Sequence, residues 1–161
     1  MKNRFFDVDN NIYLNSLYIV ALMAYTKETD TIEKIMLKLF LIKYPKIILN
    51  ICIKYDIKVE KNSLFDFQYD NLQSEMLKYS LRLHVDGLYD ALAYLYSKKL
   101  INYDNKVNRI IKTDTFEKID LEILPKNTKV LADTINQIFD QFDINTIKKS
   151  IKYIERSYYG Q

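Results

Sequence analysis

The sequence predicts a mainly α fold of the α+β class, a helical domain finished by a small β-hairpin. Three observations predict it. Only two glycines and two prolines occur in 161 residues, far fewer than all-β folds and glycine-rich loops need. Apolar residues recur three and four apart over much of the chain, the spacing of one helix face. One stretch, "YLYSKKLINYDNKVNRIIKT" from Tyr94 to Thr113, reads as a helix end, a strand, a two-residue polar turn at Asp104-Asn105 and a second strand.

Residues 11–25, "NIYLNSLYIVALMAY", form the first helix. Its second half is apolar on nearly every face, so it belongs in the middle of the fold. "TKETDT" breaks it, and Asp30 is the expected cap of a second helix, with Glu33 as its reciprocal partner. That helix, "TIEKIMLKLFLIKY", places Ile32, Ile35, Met36, Leu39 and Ile42 on one side. Pro45 excludes a smooth continuation and restricts Tyr44 before it, yet suits the first turn of a third helix, "PKIILNICIKY".

Residues 56–71 lack a sustained period and read as a connecting loop, the best place for a boundary between an N-terminal helical part, 1–70, and a second part, 71–161, that shares its core. Asn71 is the expected cap of "LQSEMLKYSLRL". The segment "HVDG" then interrupts, and Asp86 is the expected cap of "GLYDALAYLYSKK", whose core stripe is Leu88, Ala91, Leu92 and Leu95. Two strands follow, near "LINY" and "KVNRII". "FEKIDLEI" alternates like a strand but also suits a short helix, and Pro125 marks a boundary. Leu131, Ile135, Ile138 and Phe142 then define an amphipathic helix. A final helix, started by Asp143 or Asn145, carries Ile147, Ile151 and Ile154 on one face, with Lys148, Lys149, Lys152 and Arg156 around the rest.

Charge is close to balance, with 24 basic and 21 acidic residues giving +3, and a strong nucleic-acid binder usually has a larger or more localised excess. One cysteine, Cys52, forbids an internal disulfide and fits a reducing cytoplasm, the expected location. The longest apolar run, "LYIVALMAY", covers about half of the roughly twenty residues a membrane-crossing helix needs. No membrane association is expected. The final helix has a basic amphipathic face, but it lacks the Trp and Phe anchors of a membrane-surface helix.

Catalytic signatures are missing, and the chain is expected not to be an enzyme and to need no cofactor or metal. With glycine only at positions 87 and 160 there is no phosphate-cradling loop. His84 stands alone, so a His/Cys zinc site cannot form from one chain. Cys52 sits in an apolar helix, where a buried, inert thiol is expected. Asp7/Asp9, Asp66/Asp70 and Asp140/Asp143 are carboxylate pairs without the lysine-bearing strand of a magnesium nuclease.

The order helix, strand, turn, strand is how a winged-helix domain finishes, which makes the hairpin a winged-helix-like element. Lys98, Lys99, Lys106, Arg109 and Lys112 are its candidate DNA-binding residues, each phosphate contact adding a salt-dependent increment. Their ordinary roles weigh against this: Lys98 and Lys99 complement a helix C-terminus, and strand lysines protect a sheet edge. Asp86 and Asp90 on the preceding helix are poor for groove entry.

The segment order also resembles a known family. "IEKIMLKLFLIKYPKIILNI", with Leu37, Leu39, Leu41, Lys43 and Pro45, is similar to an early leucine-rich block ending in lysine and proline. Lys98-Lys99-Leu100-Ile101 is similar to its lysine-glycine-leucine-isoleucine turn into the wing, with Lys99 in place of the glycine. The family is the middle component of three-component ABC-type systems, which includes the accessory subunit of Lamassu-type anti-phage defence operons. The resemblance implies a small non-catalytic subunit bridging an SMC-like ATPase and an effector, often a nuclease, with at most weak or indirect DNA contact. Leu39, Phe40, Tyr44, Ile147, Ile151 and Ile154 are the candidate partner-binding residues, although core packing explains them equally well. The alternative is a stand-alone winged-helix DNA-binding regulator.

Overall fold

The computed structural model describes residues 11–27, 29–58 and 84–159. The chain is mainly helical with one two-stranded antiparallel sheet among these residues, as the composition predicts. Most of the 56–71 loop, the helix from Leu72, the boundary at 70 and 71 and the pairs Asp7/Asp9 and Asp66/Asp70 lie outside the described residues.

Helix α1 (Ile12–Ala24) starts where the Asn11 side chain accepts the Leu14 amide at 3.0 Å. Its central position follows from its composition: Ile19, Ala21 and Leu22 are at most 1 % exposed. Helix α2 (Ile32–Lys43) corrects the expected cap. Thr31, not Asp30, is its N-cap and accepts the Lys34 amide at 3.2 Å. Asp30 is instead withdrawn into the interior, where it meets Lys38. Pro45 begins helix α3 (Pro45–Lys54), and Tyr44 before it has the non-helical φ −121°, ψ 69°, outside the α region that a following proline disfavours.

Helix α4 (His84–Ser97) runs through Asp86 and Gly87, so Asp86 is not a cap and "HVDG" is not a break. Packing against α1 explains the glycine. The Asn15 amide group donates to the Gly87 carbonyl at 3.4 Å, and the Ser16 hydroxyl to the Ala91 carbonyl at 3.5 Å. A Cβ at position 87 would stand in this close approach. The small residues of the seam let the two backbones come together.

Strands β1 (Ile101–Asp104) and β2 (Arg109–Lys112) pair from Ile101 with Lys112 to Asp104 with Arg109. The connection is therefore four residues, Asn105 to Asn108, rather than the two expected. Asp104 accepts the Lys106 amide at 2.9 Å, and Asn108 takes φ 53°, a conformation asparagine tolerates better than most residues. Ile101 and Ile110 point into the core at 2 % and 3 % exposure. The Ile110 amide donates to the Asp30 carbonyl at 2.8 Å, adding a third, one-residue rung. Helix α1 packs against α2 and α4, and the hairpin follows α4 directly, an α+β arrangement of helices with one small sheet.

"FEKIDLEI" forms two single-turn 3-10 helices, Phe116–Lys118 and Leu121–Ile123. Thr113 and Asp120 explain the turns: their side chains accept the Phe116 and Glu122 amides at 3.3 and 3.0 Å. Helix α5 (Lys126–Gln141) follows Pro125 and buries Leu131, Ile135 and Ile138 against α1 and α2. Asp143 starts helix α6 (Ile144–Tyr159), accepting both the amide and the hydroxyl of Thr146 at 3.0 and 2.8 Å. The isoleucine face of α6 packs on α3. One hydrophobic core runs from Ile19 to Ile154 across all of these helices and the hairpin.

Candidate functional site

The candidate partner-binding residues are interior. Leu39, Phe40, Tyr44, Ile147, Ile151 and Ile154 are all no more than 5 % exposed and belong to the core. This corrects their assignment as a docking surface, because a partner cannot touch side chains the chain has already packed. The ring of Phe40 stands 4.8 Å from that of Tyr44, and the isoleucines fill the α3–α6 contact.

Of the exposed aromatics, Tyr13, Tyr89 and Tyr96 lie on α4 and the start of α1, with Tyr103 on β1 and Tyr153 on α6. At helical spacing, Leu88, Ala91, Leu92 and Leu95 turn inward, which leaves Tyr89, Asp90, Ala93, Tyr96 and Ser97 exposed. Tyr89 and Tyr96, seven residues apart on one side of the helix, are 55 % and 62 % exposed. On the other flank Tyr13 of α1, 71 % exposed, meets Tyr94 edge-on with ring centroids 5.4 Å apart. Lys98 sits 5.4 Å from the Tyr94 ring, a cation–π contact that covers it. From Gly87 to Ser97 the helix carries no Lys or Arg. Such a face suits protein contact, where tyrosines are favoured anchors, better than a phosphate-lined groove. The sequence held the signal for this face: the tyrosines fall at the positions the leucine stripe leaves over.

The hairpin cations are all at the surface, with Lys112 half-buried. Most are already engaged. Arg109 donates to the Thr29 hydroxyl at 3.2 Å. Lys112 pairs with Glu117 at 3.7 Å and lies 5.7 Å from the Phe116 ring. Lys99 and Lys106 have no side-chain partner among the described residues. The five therefore do not form one convergent cluster of uncommitted charge.

A buried polar network holds the hairpin in place. Lys38, 1 % exposed, donates to Asp30 Oδ2 at 2.5 Å and to Thr26 Oγ1 at 2.8 Å. Thr26 in turn donates to Asn136 of α5 at 3.0 Å, and Asn136 to the Leu22 carbonyl at 2.9 Å. Lys34 adds a second cation, 3.2 Å from Asp30 Oδ1. Burial pushes the Lys38 ammonium below the usual lysine range, and the Asp30 carboxylate opposes that shift. Sequence reasoning missed this network because it assigned Asp30 to a cap.

Burial pushes the Cys52 thiol up to about 11, in keeping with its expected inertness. No group of three His, Cys, Asp or Glu that could hold a metal is found among the described residues. No helix among them is long and apolar enough to cross a membrane. Comparison with protein-family models, curated proteins and solved structures gives no match to the chain.

Proposed function

We propose that the chain is a non-catalytic accessory subunit that bridges an SMC-like ATPase and an effector in a cytoplasmic anti-phage or anti-plasmid defence complex. The observation that carries this reading is the exposed tyrosine face of α4. In a winged-helix-like arrangement that helix is the one placed to enter a DNA groove, and here it presents Tyr89, Ala93, Tyr96 and Asp90 without a cation. Tyrosine is a favoured anchor where proteins meet.

The backbone at Lys99 supports the family resemblance from another direction. It has φ 60°, the left-handed conformation that glycine favours. Glycine, which the resemblance implies at this position, would adopt that conformation without strain.

The testing experiment is co-expression with the genes that flank this one, followed by affinity purification. An SMC-like ATPase and an effector should co-purify, and paired Tyr89→Ala and Tyr96→Ala substitutions should release at least one of them. Recovery of the chain alone, or the absence of any ATPase gene nearby, would sink the reading. The alternative, a stand-alone DNA-binding regulator, rests on the exposed Lys99 and Lys106 of the hairpin. It requires sequence-selective duplex binding that is lost on reversing those charges.

A further inference from the structure

The outer face of α6 carries a row of cations that the packing of the helix leaves unused. Ile147, Ser150, Ile151 and Ile154 form the buried stripe, all no more than 5 % exposed. At 3.6 residues per turn, Asn145, Lys149, Lys152 and Arg156 recur on the opposite side, and all four are exposed. Lys149, Lys152 and Arg156 make no ion pair or hydrogen bond through their side chains among the described residues. Their neighbour Lys148 is different, being paired with Glu33 of α2. The row spans about 10 Å at 1.5 Å of rise per residue.

Its flank is also basic and aromatic. Tyr153 is 65 % exposed beside the row. Lys54, from α3, lies 5.0 Å from the Tyr153 ring and 5.2 Å from that of Tyr55, donating to Ser150 Oγ at 3.4 Å. Lys149, Lys152 and Arg156, without side-chain partners among the described residues, and Lys54 against the adjacent aromatic ring place four cations on one side of the molecule.

We propose that the outer face of α6 binds the phosphate backbone of duplex DNA through Lys149, Lys152 and Arg156, with Lys54 at its edge. Charge complementarity selects the partner. Each strand of duplex DNA offers one negative charge per about 3.4 Å of axis, so a row about 10 Å long with three cations faces about three phosphates of one strand. An anionic membrane surface fits less well, because an in-plane helix must also insert an apolar face. The isoleucines of α6 are already spent in the core, leaving Tyr153 as the one large exposed apolar group among the described residues of α6. The contact would be independent of sequence, since it touches no base edge. The proposal moves DNA contact from the hairpin to α6, and it stands whether or not the subunit reading holds.

The test is fluorescence anisotropy of the full chain with a short random-sequence DNA duplex at increasing salt. Three phosphate contacts predict a slope of about −2.7 in log affinity against log salt. Reversing the row (Lys149→Glu, Lys152→Glu, Arg156→Glu) should weaken binding more than about tenfold at low salt, whereas Lys98→Glu, Lys99→Glu and Lys106→Glu together should leave it within about twofold. Circular dichroism checks folding, and glutamine at the same three α6 positions replaces the reversal if it unfolds the helix. The proposal is overturned if the parent fails to bind the duplex at low salt, or if the α6 variants bind like the parent. It is also overturned if the parent binds phosphatidylserine vesicles and not the duplex.

Discussion

Lys38 and Asp30 form a buried ion pair, 2.5 Å apart and 1 % and 2 % exposed, directly beneath the hairpin. The same Asp30 accepts the Ile110 amide of β2 through its carbonyl at 2.8 Å. One residue therefore joins the α1–α2 connection, α2, α5 through Thr26 and Asn136, and the second strand of the sheet. Its side chain is held by Lys38 and its backbone holds the hairpin.

Replacing Lys38 alone leaves a buried carboxylate without its main partner. Lys38→Met is expected to cost about 3–5 kcal/mol of stability, while Lys38→Met combined with Asp30→Asn should cost clearly less than the sum of the two single changes. Denaturant titration measures the energies. Hydrogen exchange at the Ile110 amide should accelerate in the single variant before global unfolding. Additive single effects would show that the two residues do not act as a pair.

Lys99 closes α4 in the left-handed conformation, φ 60°, with its amide on the Tyr96 carbonyl at 2.9 Å and that of Leu100 on the Leu95 carbonyl at 3.1 Å. These two bonds are the Schellman pattern that glycine usually completes. A side chain there is strained by about 1 kcal/mol. Lys99→Gly should therefore raise stability by about 0.5–1 kcal/mol, whereas Lys99→Ala keeps the strain and gains nothing comparable. Thermal melts of the two variants side by side make the check.

The fold was legible in the sequence where one local signal acts alone, and misread where tertiary contacts compete for the same residue. Pro45 starts α3, Asp143 starts α6 and the leucine stripe of α4 turns inward as their spacing predicts. Asp30 and Asp86 both look like caps, but the first is drawn to Lys38, and the second lies inside a helix that approaches α1 closely at Gly87. The spacing predicts the hairpin with a two-residue turn, and its connection is four residues because Asp104 and Asn108 each stabilise part of a wider turn. Periodicity marks which face of a helix is apolar but not whether the chain itself covers it. For that reason the spacing offers Phe40 and Ile151 as contact residues, whereas the exposed side chains are Tyr89 and Tyr96.

The Asp143 cap gives α6 an acid-sensitive N-terminus. Its carboxylate accepts the amide and hydroxyl of Thr146, and these hydrogen bonds hold its pKa below the ordinary 3.8. A carboxyl whose folded pKa is depressed contributes stability above its unfolded pKa and loses it as pH falls through the folded value. The contribution should thus be complete above about pH 4 and disappear at more acidic pH. Asp143→Ala should lower the melting temperature at neutral pH and differ much less from the parent under strongly acidic conditions. An equal difference at both pH values would remove the ionised cap from the account.

Tyr89 and Tyr96 provide the separation between folding and association that the subunit reading needs. Both are more than half exposed, so alanine at either position should change stability by no more than about 0.5 kcal/mol. If the face anchors a partner, each substitution should weaken the complex by about 2 kcal/mol, roughly 30-fold in Kd. Calorimetric titration with the co-purified partner reads the binding loss, and a melt of the isolated chain reads the stability. Loss of binding with an unchanged melt places the contact on α4. Unchanged affinity in both variants would move the partner to another surface and leave these tyrosines without a role in assembly.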